Sequence, residues 1–374
     1  MKLAIDRNEL LRGLGRMQAI VEKRNSMPIL ANVLLTASGK TENGRLELAA
    51  TDLEVGVRGS HPARVTKAGA ITVSARKLYD IVRELPEEAI QLDASVQSYI
   101  ELRCGRTRFN LAGAAAEEYP TLPEFVPGHL VRLQAAVLSQ MIERTIYAAS
   151  VDETRYNLNG VYFEVLPSDG KLRMVATDGH RLAVVDRMIG AEASMLSSGV
   201  IIPRKGLTEL KRLVDEEDAD EVELGFEGNS GLARKGDVTL VMRLIEGEFP
   251  NYRQVIPKTS DRKITIESDP LVRALRRVAL LSAERSRAVK FEIGEGRIVI
   301  SSSNPDLGDA QEELDVDYAS DPVSIGFNAK YLLDCLTALN TKEVQIAFRD
   351  GDKPVEIRPA DDADSLGVVM PMRL

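Results

Sequence analysis

The sequence predicts an α+β protein of three similar domains, and three observations predict it. A block of residues recurs twice more along the chain, each repeat mixes helix-period with strand-period segments, and the length outgrows a single core. At 374 residues two or three domains are expected, because one hydrophobic core stops growing at about 250 to 300 residues. Apolar residues make up 44%, enough to give every domain a core.

The repeat sets the domain count. The segment LELAATDLEVGVR at 46–58 recurs as LRMVATDGHRLAVV at 172–185 and more faintly as IVISSSNPDLGDA at 298–310, so Thr51, Thr177 and Ser303 stand 126 residues apart. A second block, GAITVSARKLYDIVREL at 69–85, recurs as SGVIIPRKGLTELKRLV at 198–214 and DPVSIGFNAKYLLDCLTAL at 321–339. Each version reads as an apolar strand running into an amphipathic helix. Glu118-Tyr119-Pro120 matches Glu248-Phe249-Pro250 near the close of a repeat. Domains at 1–127, 128–257 and 258–374 follow, each of a common domain size.

Every repeat also opens on a helix-period segment: Arg7 to Arg24, Val137 to Ala149, and Asp269 to Arg287. In the first, Leu10, Leu11, Leu14, Met17 and Val21 form one apolar stripe. Alternating runs at Gly160 to Leu166, Val222 to Phe226 and Val344 to Phe348 read as half-buried strands. Each domain therefore holds two helix-plus-strands halves. The joins near Pro123 to Gly128 and Ile256 to Asp261 read as short linkers.

Composition narrows the function. Aromatic residues are only 5%, with no Trp, which disfavours base-stacking platforms and makes any nucleic-acid contact electrostatic. Cys104 and Cys335 fit neither a disulfide framework nor a metal pattern. With no targeting segment at Met1 to Leu14 and no membrane-length apolar run, a cytoplasmic, non-membrane protein is expected.

A net charge of −9 argues at first against a nucleic-acid partner, but the charges are segregated. The six helical windows 7–24, 74–85, 137–149, 203–214, 269–287 and 327–342 hold 20 Lys and Arg against 9 Asp and Glu, whereas the rest of the chain holds 28 against 48. A solvated face explains one basic helix; a bias shared by all the windows but the balanced 137–149 points to a basic inner layer behind an acidic outer wall. If two chains contributed twelve such helices side by side at about 10 Å spacing, they would surround a hole of roughly 27 Å. Duplex DNA passes through that loosely, held by its backbone without base readout.

At this point the sequence resembles the bacterial DNA polymerase III beta subunit family along its whole length. The specific parts are ATDGHRLAV at 176–184, IPRKGLTEL at 202–210, GEFPNYRQVIP at 247–257 and VVMPMRL at 368–374. The resemblance implies the DNA-clamp fold: a ring-shaped head-to-tail homodimer with helices inside and sheets outside. It implies a non-catalytic processivity factor for DNA replication, a sliding clamp that encircles double-stranded DNA and uses no cofactor. It further implies a pocket for short linear peptides of the replicative DNA polymerase, the clamp-loader ATPase and repair proteins. The matching positions are Leu158, Thr177, Gly179, His180, Arg181 and Leu182, then Pro250 and Val255, then Val368, Val369, Met370, Pro371 and Met372. Adaptable Met beside Val, Leu and Pro suits one groove that serves many peptides.

For the DNA side the resemblance points to Arg24, Arg76, Lys77, Tyr156, Arg204 and Lys205, with Asn157 standing where some members carry a second Tyr and Gln254 where some carry Arg. For the dimer seam it sets Arg106, Arg108, Phe109 and Leu111 against Leu280, Leu281, Asp309, Glu312 and Glu313. Pairing those ends would also remove exposed sheet edges.

Two other readings of the residues are weaker. The acidic run Asp215-Glu216-Glu217-Asp218 could suggest a two-metal nuclease, but a contiguous run after a helix reads as a solvated loop. Asp178-Gly179-His180 lacks the ligand count of a zinc site, and His61 and His129 are expected at the surface. An open, non-encircling DNA-binding module is the second alternative, distinguished by tight binding to short linear duplexes. No phosphate-binding glycine loop is present, so a loader would have to bring the ATP chemistry.

Overall fold

The computed structural model describes residues 1–21, 27–39, 43–94, 98–123, 130–166, 168–190, 195–196, 199–217, 219–257, 261–284 and 286–373. Arg24, His129 and Asp218 lie outside these residues, as do parts of both expected linkers. Among the described residues there are six α-helices: α1 (Arg7–Ile20), α2 (Ala75–Glu84), α3 (Ala135–Ile146), α4 (Arg204–Val214), α5 (Ser268–Val278) and α6 (Ala329–Leu339). At most one residue separates each from the strand before it, as the repeat requires. The caps are visible in the sequence. Asp6 Oδ1 accepts from the backbone N–H of Asn8 and Glu9 to start α1, and Asn328 Oδ1 accepts from Lys330 to start α6.

The chain forms two compact bodies, Met1–Ala135 with Thr208–Leu244, and Ala136–Leu207 with Ile245–Leu374. In the first, thirteen antiparallel strands make one sheet, from Val131–Gln134 at one edge to Arg64–Lys67 at the other. Midway, Val238–Arg243 pairs with Val55–Pro62. Leu10, Leu14 and Met17 bury the expected stripe of α1 against this sheet. Lys235, only 2% exposed, donates from Nζ to the carbonyl of Val214 at 2.9 Å and closes the C-terminal end of α4 with a buried cation.

His61 corrects the sequence reading, because it is 1% exposed. Strand alternation turns it inward beneath α1, where its Nδ1 lies 3.3 Å from Glu9 Oε2 and its Nε2 has no hydrogen-bond partner. The acidic run after α4 is not simply solvated either. Glu216 receives both Nε and Nη2 of Arg16, at 2.7 and 2.5 Å, and Asp215 pairs with Lys211 at 2.7 Å.

The second body holds an eight-stranded sheet, in which Arg181–Met188 pairs with Ser365–Val369, and a four-stranded sheet ordered Gly308–Asp315, Arg297–Asn304, Ala288–Gly294 and Val323–Asn328. Leu271 and Leu275 of α5 and Leu332 and Leu336 of α6 share one core with Phe291, Phe327 and Phe348. Both cysteines are buried free thiols, and burial pushes Cys335 up to about 11.

Gly13 of α1 sets two effects against each other. Alanine is the better helix former by about 1 kcal/mol. Its Cβ, however, would meet His61 Nε2 at 2.4 Å and Leu48 Cδ1 at 2.6 Å, and such overpacking costs about 1 to 3 kcal/mol. Gly13→Ala is expected to lower the urea midpoint; a raised midpoint would contradict this packing. Burial also lowers the His61 pKa, against the pull of Glu9. The unfolded chain therefore binds the proton more readily, and stability should fall as pH drops below about 6.5. His61→Asn should flatten that part of the profile of urea midpoint against pH.

Candidate functional site

The second repeat builds its site on one tight turn. Asp178 Oδ1 accepts from the N–H of His180 and Arg181 at 2.9 and 3.1 Å, while Thr177 Oγ1 donates to the Arg181 carbonyl at 2.6 Å and accepts from Gly179 N–H at 3.1 Å. Gly179 sits at φ +89°, a left-handed conformation that glycine adopts without strain. Arg181 then turns into the body. It is 8% exposed, bonded to Asp178 Oδ2 at 3.0 Å and Asp334 Oδ2 at 2.6 Å, and its guanidinium carbon lies 5.4 Å from the Tyr147 ring centre and 4.8 Å from that of Tyr331. Burial works against its charge, but the two carboxylates outweigh burial and raise its pKa.

Beside this turn lies a cavity of about 220 Å³. Nine expected residues line it: Leu158, Thr177, Gly179, Arg181, Leu182, Pro250, Val255, Val368 and Met370. Four do not. His180 is exposed and stacked on Tyr331, ring centres 6.1 Å apart. Val369 alternates to the opposite face of its strand and joins the core of α5 and α6. Pro371 and Met372 continue past the cavity, where Met372 N–H donates to the Gly326 carbonyl at 2.9 Å.

Asn251 and Tyr252 line the cavity and were missed, although both stand inside the GEFPNYRQVIP segment that supplied Pro250 and Val255. Tyr252 is the floor. Its hydroxyl donates to Glu164 Oε2 at 2.6 Å and accepts from Arg173 at 3.3 Å, and Arg173 grips Asp186 through two bonds of 2.6 Å. A rigid polar frame thus holds an apolar bowl.

The residues expected to face DNA fall on helix starts and one short turn. Arg76 and Lys77 open α2 and are exposed. Tyr156, 59% exposed, projects from the 3-10 segment Glu153–Leu158, and the neighbouring Asn157 ties that segment down by donating to the Glu248 carbonyl at 3.0 Å. Arg204 and Lys205 open α4, where Arg204 also caps α3 by donating to the carbonyls of Ile146 and Ala149 at 3.2 and 3.4 Å.

The residues expected at the dimer seam lie on two long strands. In the first body, Thr107–Ala114 pairs along its length with Tyr99–Cys104, but with Gly69–Ser74 only at Gly113 and Ala114. Arg106, Arg108, Phe109 and Leu111 therefore flank an edge with no strand partner among the described residues. In the second body, Gly308–Asp315 is the outermost strand of its sheet and carries Asp309 and Glu312, with Leu281 and the 76% exposed Leu280 in the turn after α5. Both charge sets already have partners within the chain: Arg108 meets Glu101, and Glu312 accepts two bonds from Arg277.

The N-terminal, central and C-terminal domain models of the DNA polymerase III beta subunit match residues 1–123, 132–251 and 253–373. The chain belongs to the DNA polymerase III beta subunit family. Among its relatives, the beta sliding clamp of Caulobacter vibrioides is 38% identical over 378 residues, and that of Salmonella typhimurium 39% over 383, with all of each chain covered. A crystal structure of the sliding clamp from Bartonella birtlesii bound to griselimycin matches with a TM-score of 0.94 at 39% identity, again over 100% of both chains. Like theirs, the fold is that of the three-domain sliding clamp, with helices and antiparallel sheets.

Arg181 gives this family member a test of how its cavity is held. Arg181→Ala takes the guanidinium from two partly buried carboxylates, leaving Asp334 only Lys330, and removes a cation from between two rings, so about 3 kcal/mol of unfolding free energy should be lost. Arg181→Lys should recover little of it, because an ammonium cannot reproduce the planar fork. A loss under about 1 kcal/mol in denaturant titrations of the alanine variant would contradict that role.

Proposed function

We propose that two copies of this chain close head to tail around duplex DNA and, through the Thr177 cavity, tether the replicative polymerase so that synthesis becomes processive. Family membership makes the chain a sliding clamp, a non-catalytic subunit of DNA polymerase III. The observation that carries the encircling arrangement is the charge of the helices. Within their observed bounds the six hold 15 Lys and Arg against 7 Asp and Glu, while the remaining sequence holds 33 against 50. A basic lining attracts phosphates without choosing a sequence, and a topological link needs no tight contact.

The dimer seam of this reading joins the Arg106 to Leu111 edge of one protomer to the Asp309 to Glu313 edge of its partner. Two unpaired edges of opposite charge favour a heterologous contact over a like-with-like one. Within the ring, Arg24, Arg76, Lys77, Tyr156, Arg204 and Lys205 would meet the DNA backbone. The domains divide at 1–127, 128–257 and 258–374. In the cytoplasm, the clamp-loader ATPase and repair proteins would share the one cavity with the polymerase, each through a short apolar peptide. Tethering raises a partner's effective concentration at the primer end.

Two measurements test this. Protein loaded on closed circular DNA should stay bound through a wash in high salt and be released when the circle is cut once. Equal retention on short linear duplexes would favour an open binding module. Replacing Met370, the methionine that lines the cavity, with Asp should weaken a polymerase tail peptide at least a hundredfold in titrations, with the dimer mass unchanged. An unaltered peptide affinity would remove the cavity from this account.

A further inference from the structure

The first body carries the same turn as the second. Thr51 Oγ1 donates to the Val55 carbonyl at 2.9 Å and accepts from Leu53 N–H at 3.0 Å, and Asp52 Oδ1 accepts from the N–H of Glu54 and Val55 at 2.9 and 2.8 Å. Each bond has its counterpart 126 residues later, at Thr177 and Asp178. The adjoining strand is equivalent as well. Arg243 N–H donates to the Glu54 carbonyl at 2.7 Å, as Met370 N–H donates to that of His180 at 2.9 Å. Beside the first turn lies a cavity of about 290 Å³, whose walls include Leu53, Glu54, Gly56, Leu122, Pro123 and Arg243.

The backbone is shared while the side chains have changed. Arg243 stands where the second cavity has Met370 and Leu53 where it has Gly179, while Glu54, which lines the first cavity, matches His180, which does not line the second. Neither Arg243 nor Glu54 has an ion-pair partner among the described residues, and both are exposed. Gly56 lets Leu122 lie against the strand, since a Cβ there would meet Leu122 Cδ2 at 2.3 Å. Leu53 occupies φ +77° and is 51% exposed at the rim. A leucine in a left-handed turn is strained, and here its side chain is held out in water beside a cavity.

We propose that this cavity is a second linear-peptide site, selective for an extended segment that presents an aliphatic side chain to Leu53 and Leu122 and a carboxylate to Arg243. The inference rests on the reading of the Thr177 cavity as a peptide site, because the shared backbone supplies the binding mode. Replacement of Met370 by a cation supplies the change of preference, since a guanidinium recognises a carboxylate through two parallel hydrogen bonds. Two partners could then occupy one protomer at once without competing.

The test uses the full-length dimer with labelled leucine methyl groups. The probes are capped heptapeptides with one leucine and one aspartate at varied spacing, their asparagine counterparts, and a polymerase tail peptide. The aspartate peptides should shift Leu53 and Leu122 saturably, bind at least tenfold more weakly to Arg243→Glu, and be indifferent to Met370→Asp. Leu53→Gly restores the turn's unstrained residue, so it should lose affinity tenfold with no fall in melting temperature. No response at Leu53 and Leu122, while Leu158 and Leu182 respond to the polymerase peptide, would overturn this proposal alone. Silence at both cavities would overturn both readings, and equal binding of asparagine peptides or of Arg243→Glu would overturn the carboxylate preference.

Discussion

Backbone groups along a strand edge must find partners, and this constraint organises the molecule. Among the described residues the short outer strands Arg64–Lys67, Val131–Gln134 and Val200–Pro203 are four residues each, which leaves few groups to satisfy. Met372 covers part of Val323–Asn328. By contrast Thr107–Ala114 and Gly308–Asp315 run eight residues each, open over most of their length in the isolated chain. Long open edges invite another chain, and natural proteins blunt them with charge. Here the charges are opposite in sign, as the proposed pairing of one protomer's edge with its partner's requires.

The same economy appears inside the repeats. A threonine and an aspartate satisfy the backbone of a sharp hairpin, and that device occurs at Thr51 and Thr177 with the same donors and acceptors. The third copy keeps only part of it, Asn304 Oδ1 accepting from Asp306 N–H at 3.0 Å. With the backbone self-sufficient, side chains at the rim are free to diverge. The second repeat spends that freedom on an apolar bowl, held from behind by Arg181, Arg173 and Tyr252.

Much of this was legible from residue order. The six strand-to-helix halves follow from period changes and from cap residues, and the edges of α2, α4 and α6 lie within two or three residues of the windows read from the sequence. The cavity walls were legible only through resemblance, since nothing in Leu158, Pro250 and Val368 taken alone brings them together. Three features escaped. His61 reads as a surface residue until its strand is known to face α1. Val369 and Val368 are indistinguishable until strand alternation assigns them to different cores. Tyr252 gains its role only when folding sets it on Glu164 and Arg173.

Charge and edge geometry both lead to the proposal that a second copy satisfies the open strands, with the helices of excess positive charge turned to a common passage. Small-angle scattering of the purified protein, with mass from the forward intensity, tests this most directly. The account predicts twice the 41.0 kDa chain mass and a distance distribution with the deficit of a hollow particle. A single-chain mass that persists at concentrations of tens of micromolar, or a filled two-chain particle, would contradict it.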